Sequence, residues 1–104
     1  MNTIESNRLI AEFMGAHSYN KRELFVPIHG ICYHDTIELG RGKVLKYHKS
    51  WDWLMPVVEK CLIGEAESPE RLISNIYENI CTLSLNSTYN ACIEFIEWYN
   101  LQSK

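Results

Sequence analysis

Histidine and cysteine recur within one short segment of the chain, at His29, Cys32 and His34. Both are ligand types that Zn²⁺ accepts, so these three residues are the candidate metal ligands of the sequence. If the segment is a strand, Cys32 and His34 lie on one face and His29 on the other, unless a bulge intervenes at Gly30. A structural zinc site requires four ligands, and no fourth ligand is evident nearby. The sequence therefore favours a protein without a bound metal.

Motifs for catalysis and nucleotide binding are missing from the sequence. It contains no G-x-S-x-G, P-loop or G-x-G-x-x-G pattern, and the stretch Gly40-Arg41-Gly42-Lys43 lacks the P-loop spacing. The 13 acidic residues are scattered along the chain, and no pair of them stands out as buried. We therefore expect a non-enzymatic protein with no catalytic residues and no cofactor.

Positive charge is concentrated in one stretch, although the whole chain has a net charge of −3. Its candidate nucleic-acid contacts are Arg41, Lys43, Lys46 and Lys49. Aromatic residues are interleaved with them, and a cationic surface with stacking aromatic rings is typical of single-stranded nucleic-acid binding. Lysines are also common in solvated turns, and tryptophans are common in cores. Nucleic-acid binding is the alternative function.

The cysteines and the N-terminus indicate the cellular setting. Cys61, Cys81 and Cys92 each fall within an apolar helical stripe, where cysteine behaves as a small hydrophobic residue, so we expect buried, reduced thiols. The polar and acidic start of the chain does not resemble a secretory signal. No apolar run approaches the roughly 20 residues that span a bilayer. The sequence thus predicts a cytoplasmic protein without a membrane partner.

Periodicity predicts two types of element in the first half of the chain. Asn2 or Thr3 caps a first helix, Glu5 reaches back from its first turn, and Gly15 ends it. Residues 16–22 are polar and irregular, whereas β-branched and aromatic runs at 24–28, 31–33 and 36–39 predict a hairpin or three-strand meander over 24–47. Because Pro27 cannot donate to a ladder, its strand is expected at an edge.

Three further helices are predicted in the second half. The first starts at Ser50 or Asp52, with Pro56 near or beyond its first turn, and ends near Leu62. The other two start at Ser68-Pro69 and at Asn86 or Ser87; the last reaches about Leu101. We therefore predict a single α+β domain over 1–104, with about four helices packed on a small antiparallel β-hairpin or three-strand sheet.

Two of these helices, the first and the last of the three, have apolar residues outside the single stripe that would face the core. Trp53 points away from the main stripe of its helix, and Phe95 and Trp98 widen the stripe of the last helix. A helix that is apolar nearly all round is central or buries its second face on a partner. Trp53, Phe95 and Trp98 are therefore the candidate interaction surface, for a protein partner or for self-association. Coverage by the β-hairpin is the alternative.

Three blocks in the chain resemble one family. They are LIAEFMG (9–15), HKSWDWLMPVVEK (48–60) and YNACIEFIEWYN (89–100), and they cover about a third of the chain. Together they are similar to the phage α-β-α sandwich domain, a group of small proteins from bacteriophages and prophage-bearing bacteria. The resemblance implies an α+β fold and a phage-related origin, with no catalytic or binding residues to carry over. The chain departs from the family pattern at 68–83, which indicate helix here.

Overall fold

The first helix begins with a reciprocal cap, as the sequence predicts. In the computed structural model, α1 covers Thr3–Phe13 with Asn2 as its N-cap. The Glu5 backbone N–H donates to Asn2 Oδ1 at 2.8 Å, and the Asn2 N–H donates to Glu5 Oε1 at 3.3 Å. Two donors that the helix leaves unpaired are thereby satisfied. Gly15, at φ 95°, takes a left-handed conformation just beyond the helix end.

The structure describes residues 2–18, 23–27, 29–34, 44–64 and 69–102. Contacts divide the chain into two compact units, Met1–Lys46 and Tyr47–Lys104. The first holds α1 and strands β1 (His17–Ser18), β2 (Glu23–Val26) and β3 (Ile31–His34); the second holds helices α2 (Trp51–Gly64), α3 (Glu70–Cys81) and α4 (Leu85–Gln102). The four helices and the antiparallel sheet of the described residues confirm the α+β class. The single domain over 1–104 stays a prediction.

The sheet of the first unit has strand order β1-β2-β3, with both pairings antiparallel. Along β2 the burial alternates: Leu24 and Val26 are fully buried, whereas Glu23 and Phe25 are only half-buried. A period of two is what one buried and one open face require. Beyond β3, His34 forms an isolated parallel bridge with Val44, and the Leu45 N–H donates to the His34 carbonyl at 3.2 Å.

Two sequence predictions about the sheet are wrong. The segment 16–22 was expected to be irregular, yet it contains β1, which pairs with β2. Pro27 was expected to mark an edge strand, yet β2 is central. Pro27 lies just beyond β2 in the turn to β3, where its carbonyl accepts from the Gly30 N–H at 3.2 Å, so its missing N–H removes no ladder bond. The strand predicted over 36–39 lies outside the described residues.

Ser50, and not Asp52, starts α2. The Trp53 and Leu54 N–H groups donate to the Ser50 carbonyl at 3.2 and 3.0 Å. Pro56 therefore lies inside the helix and not in its first turn, where it offers no N–H to the Asp52 carbonyl. The helix continues to Gly64, beyond the predicted end at Leu62.

The starts of α3 and α4 each differ from their predicted positions. Pro69 is the N-cap of α3 and not its first helical residue; Ser68 lies outside the described residues. At α4, Ser84 takes the capping role predicted for Asn86 or Ser87, because its Oγ accepts from the Ser87 N–H at 3.2 Å. The Ser84 carbonyl accepts from the Thr88 hydroxyl at 2.8 Å. The sequence alone does not single out Ser84, because Asn86 and Ser87 are also good capping residues.

Leu83, in the turn between α3 and α4, has the left-handed backbone conformation that favours glycine, with φ 58°. Its side chain is 80% exposed, so it contributes little packing. We expect Leu83→Gly to raise the free energy of unfolding by about 1 kcal/mol, because glycine removes the steric cost of this conformation. Chemical denaturation measures the change. The matched control is Thr82→Gly, at φ −83°, where no gain is expected. A loss of stability in Leu83→Gly would contradict this account.

Candidate functional site

The register of the sheet assembles one row of side chains across all three strands. His17 pairs with Phe25, and Phe25 pairs with Cys32. Directly paired residues of antiparallel strands point to the same face, so these three side chains share the face opposite buried Leu24 and Val26. The first unit thus presents a row of imidazole, phenyl and thiol groups on its open sheet face.

An open groove of about 560 Å³ lies over this row. We call it the sheet groove; its described lining residues are His17, Phe25, Gly30, Ile31 and Cys32. The His17 and Phe25 rings are 5.3 Å apart between centroids and tilted by 39°, and Ile31 is 37% exposed. The described lining side chains are apolar apart from one imidazole, and the volume falls within the range of ligand-binding clefts. The groove can take up an apolar group and offer it one polar contact.

The next row on the same face is polar. Glu23 pairs with His34, and His34 Nε2 lies 3.9 Å from Glu23 Oε2. Both side chains are partly exposed, and the pair is ionic only when His34 is protonated. Solvent weakens such a contact, so its contribution to stability is small. The pair gives the sheet face a polar row beside the groove.

The structure separates the three candidate metal ligands. Cys32 and His34 share one face of β3, as strand alternation predicts. His29 lies in the preceding turn, and its ring packs edge-on against Tyr33 at 5.3 Å. Tyr33 pairs with Leu24 and so belongs to the opposite face. Within the described part of the chain, no group of three or more His, Cys, Asp or Glu side chains could hold a metal ion.

The four free cysteines differ in burial. Cys61 and Cys92 are fully buried, as predicted, and Cys32 is half-buried in the sheet groove. Cys81 is exposed, which contradicts the prediction that it belongs to a buried stripe. It is the last residue of α3, and the buried residues of that helix are Leu72 and Ile76. The apolar stripe of α3 is therefore buried in the earlier part of the helix, and its last residue, Cys81, is exposed to solvent.

The three residues of the candidate interaction surface differ in their exposure to solvent. Trp53 and Trp98 are half-buried, and each packs against another ring: Trp53 edge-on to Tyr47 at 5.1 Å, and Trp98 beside Phe95 at 5.7 Å. Phe95 itself has 0% exposure, so placing it on an interaction surface was wrong. The wide apolar stripe of α4 is explained by burial of most of its circumference over residues 88–96. Exposed large apolar residues of the second unit are Met55, Ile63, Tyr77, Leu83 and Leu101.

The basic stretch is described only in part. Arg41 and Lys43 lie outside the described residues, whereas Lys46 is half-buried and Lys49 is exposed. Tyr47, between them in sequence, has 2% exposure and cannot stack on a base. Burial lowers the pKa of His48, and the positive charge of Lys49 lowers it further, so this imidazole carries a positive charge less readily than an ordinary histidine. The structure does not describe the four basic side chains as one surface.

His17 and Phe25 were missed by sequence reasoning. The two-residue strand that carries His17 is too short to show a periodic signal, and Phe25 is one residue of an apolar run. The alternation of Glu23 and Phe25 with Leu24 and Val26 was the one available signal, because it places Phe25 opposite two aliphatic residues.

None of the helices in the described ranges has the combination of length and apolarity that a membrane span needs. No protein-family model, curated protein or solved structure matches the chain.

Proposed function

We propose that the chain is a non-enzymatic interaction module whose sheet groove binds an apolar side chain of a partner protein. The observation that carries this proposal is the open groove of about 560 Å³ lined by His17, Phe25, Gly30, Ile31 and Cys32. Interfaces derive much of their binding energy from a few aromatic or aliphatic anchors that fill such clefts. We place the module in a phage-related accessory role, because three blocks of its sequence resemble a phage domain.

The lining favours an aromatic anchor. Phe25 and His17 already form one tilted ring pair, and a third ring can pack against the edge or face of Phe25. Among the described lining residues there is no acid, lysine or arginine, so a charged anchor would lose hydration without gaining an opposite charge from them. The His17 imidazole can exchange a hydrogen bond with an indole or a peptide group. A tryptophan or phenylalanine side chain on a partner protein fits these groups.

Nucleic acid remains the alternative partner, through the stretch 41–53. It would need basic side chains together with exposed rings that stack on bases. Within the described part of this stretch, Tyr47 is buried and the ring of Trp53 packs against it. These contacts favour the sheet groove over the basic stretch as the binding site.

The test is binding of N-acetyl-tryptophan amide to the full chain, followed by changes in backbone amide NMR signals. We expect saturable binding at millimolar concentration, with the largest changes at residues 17, 25 and 30–32. N-acetyl-lysine amide is the charged control and should cause no saturable change. Phe25→Ala should weaken binding at least fivefold, and His17→Ala provides a second groove variant in case the first fails to fold. Leu101→Ala, at an exposed apolar residue outside the groove, should bind as the original protein does.

Two results would overturn the proposal. One is a probe response that is absent, or that persists unchanged in Phe25→Ala and His17→Ala. The other is binding of a thymidine oligonucleotide at about 50 mM salt that weakens steeply as salt rises, without any response to the tryptophan probe. The second result would assign the function to the basic stretch.

A further inference from the structure

The polar row beside the sheet groove lies at a fixed spacing from the groove. Glu23 and Phe25 are two positions apart on β2, and their partners His34 and Cys32 are two positions apart on β3. Strand residues at i and i+2 point to the same face and lie about 7 Å apart along the strand. The open sheet face therefore presents a carboxylate and an imidazole one strand repeat away from the ring of Phe25.

Glu23 gives this row a negative charge that a partner can reach. Its side chain is 30% exposed, and that of His34 is 43% exposed. At 3.9 Å, the contact between Glu23 Oε2 and His34 Nε2 is longer than a hydrogen bond, so it holds the carboxylate only loosely. A carboxylate has two oxygens that accept several hydrogen bonds. Glu23 can therefore accept from a cation of a partner and keep its contacts within the chain.

The imidazole of His34 favours arginine over lysine as that cation. A guanidinium is planar, stacks on aromatic faces and donates two parallel hydrogen bonds to a carboxylate. The His34 ring and the Glu23 carboxylate lie side by side on the open face and offer both kinds of contact. A lysine ammonium is a point charge and would use the carboxylate alone.

We propose that the partner of the sheet groove is an extended protein segment with an aromatic residue and an arginine two positions apart. The aromatic ring occupies the groove, and the guanidinium contacts Glu23 and His34. This inference rests on the proposed function, because the groove must first bind the ring. In an extended segment the side chains at i and i+2 also point to one side with a spacing of about 7 Å, so they match the two rows of the sheet. An arginine directly next to the aromatic residue would point away from the sheet.

The test compares short peptides in titrations of the full chain, followed by backbone amide NMR signals. The probes are acetyl-Trp-Thr-Arg-amide and acetyl-Arg-Thr-Trp-amide, one for each direction of the segment along the sheet. One control replaces the arginine of each probe by glutamine, and the other, acetyl-Trp-Arg-Thr-amide, places the arginine next to the tryptophan. We expect the tighter probe to bind about threefold more tightly than its controls, as befits a partly exposed ion pair. Its additional signal changes should lie at residues 23 and 34.

Two glutamate variants test the contact itself. Glu23→Gln should remove the preference for arginine and leave the binding of the glutamine peptides unchanged. Glu97→Gln makes the same change of charge at an exposed residue of α4 and should keep the preference. The peptide with adjacent arginine provides the comparison on the unaltered protein if Glu23→Gln fails to fold.

The results distinguish this inference from the proposed function. If the glutamine peptides bind at the groove and the arginine probes bind no more tightly, the groove keeps its function and the arginine contact is overturned. A preference that persists in Glu23→Gln, or equal binding of the probes and the peptide with adjacent arginine, also overturns it. If none of the tryptophan peptides binds, the proposed function and this inference fail together.

Discussion

Phe95→Ala is expected to lower the free energy of unfolding of the helical unit by about 3–5 kcal/mol. The ring is fully buried in α4 and packs beside the ring of Trp98, with the two centroids 5.7 Å apart. Removing it takes apolar surface out of the core and leaves a cavity that neighbouring side chains fill only in part. Urea denaturation followed by far-ultraviolet circular dichroism measures the loss, because most of the helical signal comes from α2, α3 and α4.

Leu101→Ala is the matched control for this prediction. It removes a large apolar side chain from the same helix, but Leu101 is 69% exposed. Its effect should be within about 0.5 kcal/mol. If Phe95→Ala cost no more than Leu101→Ala, the ring would lie outside the core, and α4 would have an apolar face available for a partner.

Leu24→Ala is expected to destabilise the first unit by about 2–5 kcal/mol. Leu24 is fully buried in the central strand β2, where it pairs with Ser18 on one side and Tyr33 on the other. Its side chain belongs to the closed face of the sheet, so alanine leaves a cavity there. The amide exchange protection of β2 and β3, measured by NMR, should fall together with the global stability of the unit.

Phe25→Ala provides the comparison, one position along the same strand. Phe25 is half-buried on the open face, so its loss should cost about 1 kcal/mol, less than that of the smaller leucine beside it. The two substitutions thus test which face of the sheet is closed. If Phe25→Ala lowered the stability of the first unit more than Leu24→Ala, the Phe25 face would be the closed one, and the sheet groove would not be open to a partner.

Local capping chemistry made the start of α1 predictable. Asn2 and Glu5 are three residues apart and satisfy each other's backbone donors, so all the required information lies within one turn. The start of α4 was harder to place, because Ser84, Asn86 and Ser87 are all capping types within four residues. Only the hydrogen bond from the Ser87 N–H to the Ser84 hydroxyl selects among them.

The sheet depended on contacts that periodicity does not contain. His17–Ser18 is a strand because β2 pairs with it, and two polar residues alone carry no alternation. The sheet groove could not be predicted for the same reason, since His17 lies beside Phe25 only through that pairing. Burial of Phe95 and exposure of Cys81 likewise depend on which helices pack together. A helical wheel shows which residues share an apolar face, but it does not show how much of the helix length a neighbouring helix covers.

The order of the elements in space also bears on how the chain folds. Each strand pairs with its neighbour in sequence, and α3 packs against α4 across a turn of only three residues, 82–84. Contacts of this kind close short loops, so little chain entropy is lost before each contact forms. Topologies dominated by such contacts fold faster than those that must first join distant segments. The β2–β3 hairpin and the α3–α4 hairpin can therefore each form early, leaving the packing of α2 on α4, which encloses the two buried thiols, as a later step.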